Sequence, residues 1–151
     1  MTGRIKELVF KSKAEMSKKM ESSACDYEGY VPGRNGYNFP NKDGTYTISY
    51  VKGDILTKMH ELRHAMYFFD PEYRKEVNKL WLSLSCEDRN IIEKFLGKCG
   101  YNKKVFLDEF QAYWFTEQEP RKFFGLKRET LKEEMGKLLK KKNNEKTAKK
   151  H

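Results

Sequence analysis

The alternation of polar and apolar residues predicts a β-strand near the middle of the chain. From Thr45 to Val51, threonine and serine alternate with tyrosine and isoleucine, which is typical of a half-buried strand rich in β-branched and aromatic residues. The turn at residues 52–54 ends this strand. Asp54 is placed to cap a helix that begins at Ile55.

The helix after Asp54 carries one apolar stripe. Its members recur at intervals of three or four residues, as expected for an amphipathic helix, and are Ile55, Met59, Leu62, Met66 and Phe69. At about 100° of rotation per residue, His60 and His64 lie roughly opposite this stripe. We therefore predict that the stripe is buried and that the two histidines face away from it.

Three further helical segments are predicted before residue 120. Asp70 and Pro71 begin the first, and Ser85 caps the second, which is expected to end before Gly97. The third, Val105 to Phe115, is apolar on most sides, so a helix nearly surrounded by protein is expected, with Pro120 ending it. The predicted buried positions of the first two are Tyr73, Val77, Leu80, Trp81, Leu84, Ile91, Ile92, Phe95 and Leu96.

The two ends of the chain are less regular. Residues 4–21 are compatible with a short amphipathic helix that begins as something more extended, and residues 26–44 are rich in glycine, proline and asparagine, which predicts a loop with tight turns. A last amphipathic helix is predicted near Leu131 to Leu139. We expect residues 1–139 to form one domain and residues 140–151 to form a flexible, lysine-rich tail.

Composition narrows the class of protein. The 151 residues are 38% apolar and 14% aromatic, which suffices for one domain with a hydrophobic core. No stretch approaches the roughly 18 consecutive apolar residues of a membrane span, and the N-terminus lacks a secretory-signal pattern. The chain has three cysteines, Cys25, Cys86 and Cys99, and no two of them form a C-x-x-C pair. Free thiols are therefore expected. An intracellular location is expected as well.

The net charge of +9 invites comparison with nucleic-acid-binding proteins. Much of the excess lies between Lys137 and Lys150, where seven lysines stand against one acidic residue, Glu145. Such a block is usually a solvated tail. Contact with a nucleic acid or another anionic surface through this tail is the alternative.

The sequence His60-Glu61-Leu62-Arg63-His64 carries the strongest chemical signal. Two histidines four residues apart on a helix place their imidazoles on one face, where both can bind one zinc ion. Glu61 would then act as the base that takes a proton from a zinc-bound water and delivers it to the leaving amine. The alternative is a pair of partly exposed histidines beside a solvated glutamate.

A catalytic zinc site needs a third protein ligand. The only other histidine, His151, ends the lysine-rich tail, so a carboxylate is expected. Glu109 is the best candidate because it lies in an otherwise apolar helix, where an unpaired carboxylate is costly. Asp108 is expected to cap a helix or pair with a lysine, and Cys86 and Cys99 are weaker candidates as ligands. Manganese or cobalt would fit the same donors.

These motifs resemble the gluzincin class of zinc metallopeptidases. The sequence HELRHA at 60–65 is followed, 45 residues after His64, by Glu109 in DEFQAY. This is most similar to the catalytic domain of anthrax lethal factor and its relatives, including the bacterial Pro-Pro endopeptidases, which pair an H-E-x-x-H helix with an E-F-x-A-like helix. The resemblance covers residues 45–118.

The resemblance implies both a fold and a set of roles. The fold is α+β and mainly α, a zincin-like metallopeptidase domain with a small sheet packed on the H-E-x-x-H helix. His60, His64 and Glu109 would bind Zn²⁺, Glu61 would be the general base, and Tyr101 would steady the oxyanion. A purely structural tyrosine is the alternative, because Tyr101 lies one residue further from the glutamate than expected.

Arg63 is a departure from the family pattern. It occupies a position where many relatives have glycine, which predicts a cation at the cleft. The strand at residues 45–51 is expected either to bind substrate along an open edge or to be a core strand whose edge is covered.

Three functions follow. The leading hypothesis is a monomeric, zinc-dependent endopeptidase that acts on a protein or peptide substrate. The alternative is a non-catalytic, zincin-like basic module that binds nucleic acid or a protein assembly. An effector that cleaves one host protein would use the same peptidase chemistry on a narrower target.

Overall fold

The computed structural model describes residues 4–29, 31, 33–127, 138, 139 and 141. The predicted last helix falls mostly outside these residues, as does the lysine-rich tail apart from Lys141. The side chain of Cys25 also lies outside them, whereas Cys86 and Cys99 are free thiols. No helix in the described ranges is long and apolar enough to cross a membrane.

The described part of the chain is α+β and mainly helical, as the sequence predicted. In chain order the elements are β1 (Ile5–Phe10), α1 (Lys13–Glu28), β2 (Gly36–Pro40), β3 (Tyr46–Val51), α2 (Ile55–Phe69), α3 (Pro71–Ser83), α4 (Cys86–Cys99), a 3₁₀ turn (Lys103–Val105), α5 (Phe106–Thr116) and α6 (Pro120–Phe124).

The three described strands form one sheet in the order β1-β3-β2. β1 runs parallel to β3, with Ile5 opposite Tyr46, and β2 runs antiparallel to it, with Gly36 opposite Tyr50. The predicted strand is therefore confirmed as the central one. Because both of its edges are paired, the hypothesis that substrate adds along an open edge of β3 is wrong, and the covered core strand is what the structure has.

The N-terminal third departs most from the sequence prediction. The extended start of the predicted helix is β1, and α1 continues to Glu28. The predicted 26–44 loop therefore contains the end of α1 and the whole of β2. Pairing with β3 outweighs the weak strand propensity of the Gly- and Asn-containing sequence. Met16 and Met20 fix α1 on the sheet, where both are buried with Phe10 and Tyr37.

Local signals placed the helix starts correctly. Asp54 accepts a hydrogen bond from the backbone N–H of Thr57 at 3.1 Å, and Asp70 and Ser85 cap α3 and α4 in the same way. The predicted end of α4 before Gly97 is wrong, because the helix continues to Cys99. Gly100, with a φ of 104°, adopts the left-handed conformation that ends it. Pro120 begins α6, whereas α5 has already ended at Thr116.

Two buried clusters flank α5 and α2. Residues from α4, α5 and the α6 region form an aromatic and aliphatic core: Ile92, Leu96, Phe110, Phe124 and Leu126, with Trp81 packed against it. Tyr46, Ile48, Tyr50 and Ala65 form the second, between β3 and α2. The predicted inner faces of α3 and α4 agree with the first cluster. The first cluster includes residues of α5, and the second includes Ala65 of α2. The two helices also pack directly on each other, which positions the candidate site.

Candidate metal centre

In its first half, α2 buries polar side chains rather than the predicted apolar stripe, whereas Leu62 and Phe69 of that stripe do pack on the cluster around β3. Ile55 is 64% exposed and Met59 49% exposed, whereas Glu61 and His64 are buried. The predicted burial of the apolar stripe is wrong in this first half of the helix. The reason is that the opposite face packs on α5 and β2, so the side that carries the charged motif is the one turned inward.

His60, His64 and Glu109 converge on one point. Their ligand atoms all lie within 4.8 Å of one another, with the two Nε2 atoms 3.2 Å apart. The Glu109 carboxylate reaches both rings: Oε1 lies 3.3 Å from Nε2 of His64, and Oε2 lies 3.6 Å from Nε2 of His60. Two imidazole nitrogens and a carboxylate oxygen in this arrangement can hold a metal ion. Cys86 and Cys99 do not belong to this group.

Close packing of α5 on α2 brings Glu109 to the histidines. Ala112, three residues after Glu109 on α5, is fully buried, and small side chains let two helices approach closely. Burial alone would raise the pKa of Glu109, but His64 and His60 lower it to about 2. Glu109 is therefore an ionised carboxylate in the protein interior, as a metal ligand must be.

Asp108 has a different role from the predicted one. Among the described residues it neither caps a helix nor pairs with a lysine, and its Oδ1 lies 2.8 Å from Nδ1 of His64. Since a carboxylate accepts the proton on Nδ1, Nε2 is directed toward Glu109 and the point of convergence. Burial lowers the pKa of His64, yet Asp108 and Glu109 together raise it well above the ordinary value.

A second layer of hydrogen bonds holds Asp108 in place. The buried Gln111 donates from Nε2 to Asp108 at 3.0 Å and to the backbone carbonyl of Arg63 at 3.2 Å. Tyr73 on α3 donates to the amide oxygen of Gln111 at 2.6 Å. These roles of Asp108 and Gln111 were not predicted from the sequence. The sequence did contain a signal for them, because Asp108 and Gln111 lie three residues apart in an apolar helix and a polar side chain that is buried needs a hydrogen-bond partner.

Glu61 lies buried next to the first strand residue of β2. Its Oε2 has no hydrogen-bond partner among the described residues. Burial raises its pKa, and His64 and His60 act in the opposite direction. A Cβ added to Gly36 would lie 2.6 Å from Oε1 of Glu61 and 2.8 Å from the backbone carbonyl of Ser49. Any larger residue at position 36 would therefore push β2 away from Glu61.

Two tyrosines line the same cleft. Tyr101, the predicted oxyanion residue, has its hydroxyl 2.9 Å from the hydroxyl of Tyr113, and the ring centroid of Tyr113 lies 4.4 Å from that of His60. Burial raises the pKa of both phenols, so both are neutral donors at neutral pH. Tyr113 was not predicted, although its position one helical turn after Glu109 places it on the same side of α5.

Arg63 does not supply the cation of the cleft. Its guanidinium carbon lies 5.0 Å from the ring centroid of Phe115, and NH1 donates to the hydroxyl of Tyr73 at 3.4 Å. The prediction of a cation from Arg63 in the cleft is therefore wrong. Arg34, in the segment before β2, lines the cleft instead.

The site opens into a cavity of about 890 Å³. Its lining comes from residues 31 and 33–36, from the first half of α2 and from residues between Tyr113 and Phe123. His60, Glu61 and Tyr101 all line it. A cavity of this size fits several residues of an extended peptide or a small molecule.

Comparisons with known protein families, with curated proteins and with solved structures find no match for this chain. The resemblance to gluzincins therefore depends on the two sequence motifs alone.

Proposed function

We propose that this protein is a zinc-dependent peptidase. The observation that carries the proposal is the convergence of His60, His64 and Glu109 within 4.8 Å, with the buried Glu61 beside them in a cleft that is open to substrate. The donor set matches that of catalytic zinc sites with two histidines and one glutamate. Glu109 Oε2, which is buried without a hydrogen-bond partner among the described residues, fits a carboxylate that completes its contacts on a cation.

Each residue of the site has a separate role in the proposed hydrolysis. Zinc bound at this site would supply Lewis-acid activation of a water molecule and of the substrate carbonyl. Glu61 accepts the proton of the attacking water and then delivers it to the amine that leaves. Tyr101 and Tyr113 provide a phenolic donor for the carbonyl oxygen as its negative charge develops. Asp108 keeps His64 in the tautomer that leaves Nε2 free for the metal.

The substitution Glu61→Gln tests this division of roles. It retains the size of the side chain and removes the base, so the zinc content per chain should be unchanged while hydrolysis of casein falls by about 10²- to 10⁴-fold. His60→Ala should lose the metal as well as the activity. Elemental analysis and a casein assay measure the two quantities on the same preparations.

Glu117→Gln is the matched control, since Glu117 is a glutamate that lines the same cavity but is neither a proposed metal ligand nor the proposed base. It should retain nearly full activity. If Glu61→Gln hydrolyses casein as fast as the unchanged protein, the proposed mechanism is incorrect.

The basic-module alternative depends on the lysine-rich tail, which lies mostly outside the described residues, so it stays a prediction. Loss of nucleic-acid binding on removal of residues 140–151, together with a steep decrease in affinity as salt rises, would support it.

A further inference from the structure

Buried polar atoms without partners concentrate around the cleft. Among the described residues, five buried side-chain nitrogen or oxygen atoms have no hydrogen-bond partner, and four of them belong to Glu28, Arg34, Glu61 and Glu109. Glu61 and Glu109 have roles in the proposed site. Glu28 and Arg34 have none, although a buried, unpartnered polar group is costly and calls for an explanation.

The guanidinium of Arg34 is fixed from three directions. Its Nε donates to the backbone carbonyl of Gly36 at 2.8 Å, its NH2 pairs with the Glu28 carboxylate, and its central carbon lies 4.1 Å above the ring centroid of Tyr37. The Arg34 side chain is 9% exposed and that of Glu28 is 1% exposed. Since these contacts already order the side chain, little entropy remains to be lost when it binds a ligand.

One amino group of this guanidinium, NH1, makes no hydrogen bond to the described residues. NH1 is buried, while the Arg34 side chain forms part of the cavity wall together with Glu61 and Tyr101. An arginine cannot shed its charge by deprotonation. A ligand oxygen in the cleft would therefore satisfy a donor that the protein itself leaves unsatisfied.

The surrounding charges indicate which kind of oxygen this is. Burial lowers the pKa of Arg34, but Glu28 and then Glu61 raise it above the ordinary value, so the guanidinium already lies among carboxylates. Glu28 already pairs with the Arg34 guanidinium, so a ligand carboxylate at NH1 would bring a second negative charge to the same cation beside Glu28. A peptide carbonyl oxygen accepts the same hydrogen bond without this repulsion.

We propose that NH1 of Arg34 donates a hydrogen bond to a backbone carbonyl oxygen of the peptide in the cleft and so positions the chain over Glu61. This inference rests on the proposed peptidase function. Glu28 acts through Arg34, because its carboxylate holds the guanidinium in the orientation that leaves NH1 for the peptide. The cleft accordingly recognises the backbone of an extended peptide, in addition to any side-chain preference.

The test separates binding from hydrolysis. The probe is a mixture of random hexapeptides that are acetylated and amidated at their ends, and its binding is measured by retention on the zinc-loaded Glu61→Gln protein. Adding Arg34→Met should weaken retention by about 10- to 100-fold, the range for a hydrogen bond to a charged group. Arg34→Lys, which keeps the charge but not the planar fork, should show a similar loss. Melting temperatures identify any variant that fails to fold.

Lys122→Met is the matched control, since Lys122 is another cation that lines the cavity and pairs with Glu119 at the surface. It should change retention less than about twofold. Equal retention by the Arg34 variants and by their parent would overturn the inference and leave the peptidase proposal intact. Peptides that bind in an Arg34-dependent way without being cut by the unchanged protein would contradict the peptidase proposal alone.

Two further outcomes also decide the question. A second mixture of hexapeptides, acetylated but with free carboxyl ends, is measured in the same way. If only this second mixture loses affinity on Arg34→Met, the ligand group is a carboxylate and the carbonyl assignment is wrong. If no peptide is retained and none is cut, both proposals are wrong.

Discussion

The two buried sides of α5 differ in what they bury. On one side, Phe110 packs against Trp81, with 4.9 Å between ring centroids, and against Trp114 and Phe124. On the other, Asp108 and Glu109 are buried against the histidines of α2. The first side gains free energy by removing apolar surface from water. The second places charged groups where burial is costly, and such groups are arranged for a purpose other than stability.

The comparison teaches which property each side controls. The aromatic side should determine the free energy of unfolding, and the polar side should determine metal affinity and chemistry. Substitutions on the two sides of one helix can therefore separate stability from function, because the backbone that carries both is the same.

The largest effect is expected from Phe110→Ala. Removal of a fully buried phenylalanine leaves a cavity and should lower the free energy of unfolding by about 3–5 kcal/mol, measured by urea denaturation. Phe115→Ala on the same helix is the control, since Phe115 is 42% exposed, and it should cost less than about 1.5 kcal/mol. Equal losses for the two variants would contradict the assignment of the core to one side of α5.

A smaller effect is expected from Asp108→Asn. The amide retains the shape of the side chain but holds the proton on His64 Nδ1 less firmly, so the Zn²⁺ affinity should fall by about 10- to 100-fold. Competition with a chromophoric chelator measures it. Asp88→Asn, which removes a carboxylate that pairs with Arg121, should leave the affinity unchanged. An unaltered affinity in Asp108→Asn would show that this carboxylate does not orient the ligand.

The smallest effect is expected from Met59→Gln on the outer face of α2. Because Met59 is 49% exposed, the change should shift the free energy of unfolding by no more than about 0.5 kcal/mol, as followed by thermal denaturation. A loss above about 1.5 kcal/mol would mean that this face is covered by another part of the protein.

The sequence predicted those parts of the fold that depend on neighbouring residues. The caps at Asp54, Asp70 and Ser85 and the strand at 45–51 follow from local chemistry, and the structure confirms them. β1 and β2 were not predicted as strands, because they are stabilised by pairing with β3. Ile5 finds its partner Tyr46 about 40 positions later, and no local pattern reports such a distant contact.

The candidate site shows the same division. The spacing of His60 and His64 predicted a shared helix face, and the cost of burying Glu109 in an apolar helix singled it out. The predicted burial of the apolar stripe in the first half of α2 was wrong, because periodicity does not reveal which face of a helix a polar cluster turns inward. Asp108 and Arg34 acquire their roles only through contacts between distant elements, namely α5 with α2 and the segment before β2 with α1.

The placement of Glu109 between Asp108 and Phe110 also has a consequence for motion. A rotation of α5 that moved the Glu109 carboxylate would pull Phe110 out of its aromatic surroundings and break the contact between Asp108 and His64. Thermal displacement of the carboxylate is thereby restricted to what the neighbouring packing allows. If the proposed metal binds here, the three side chains are already close together and little rearrangement of the chain is required.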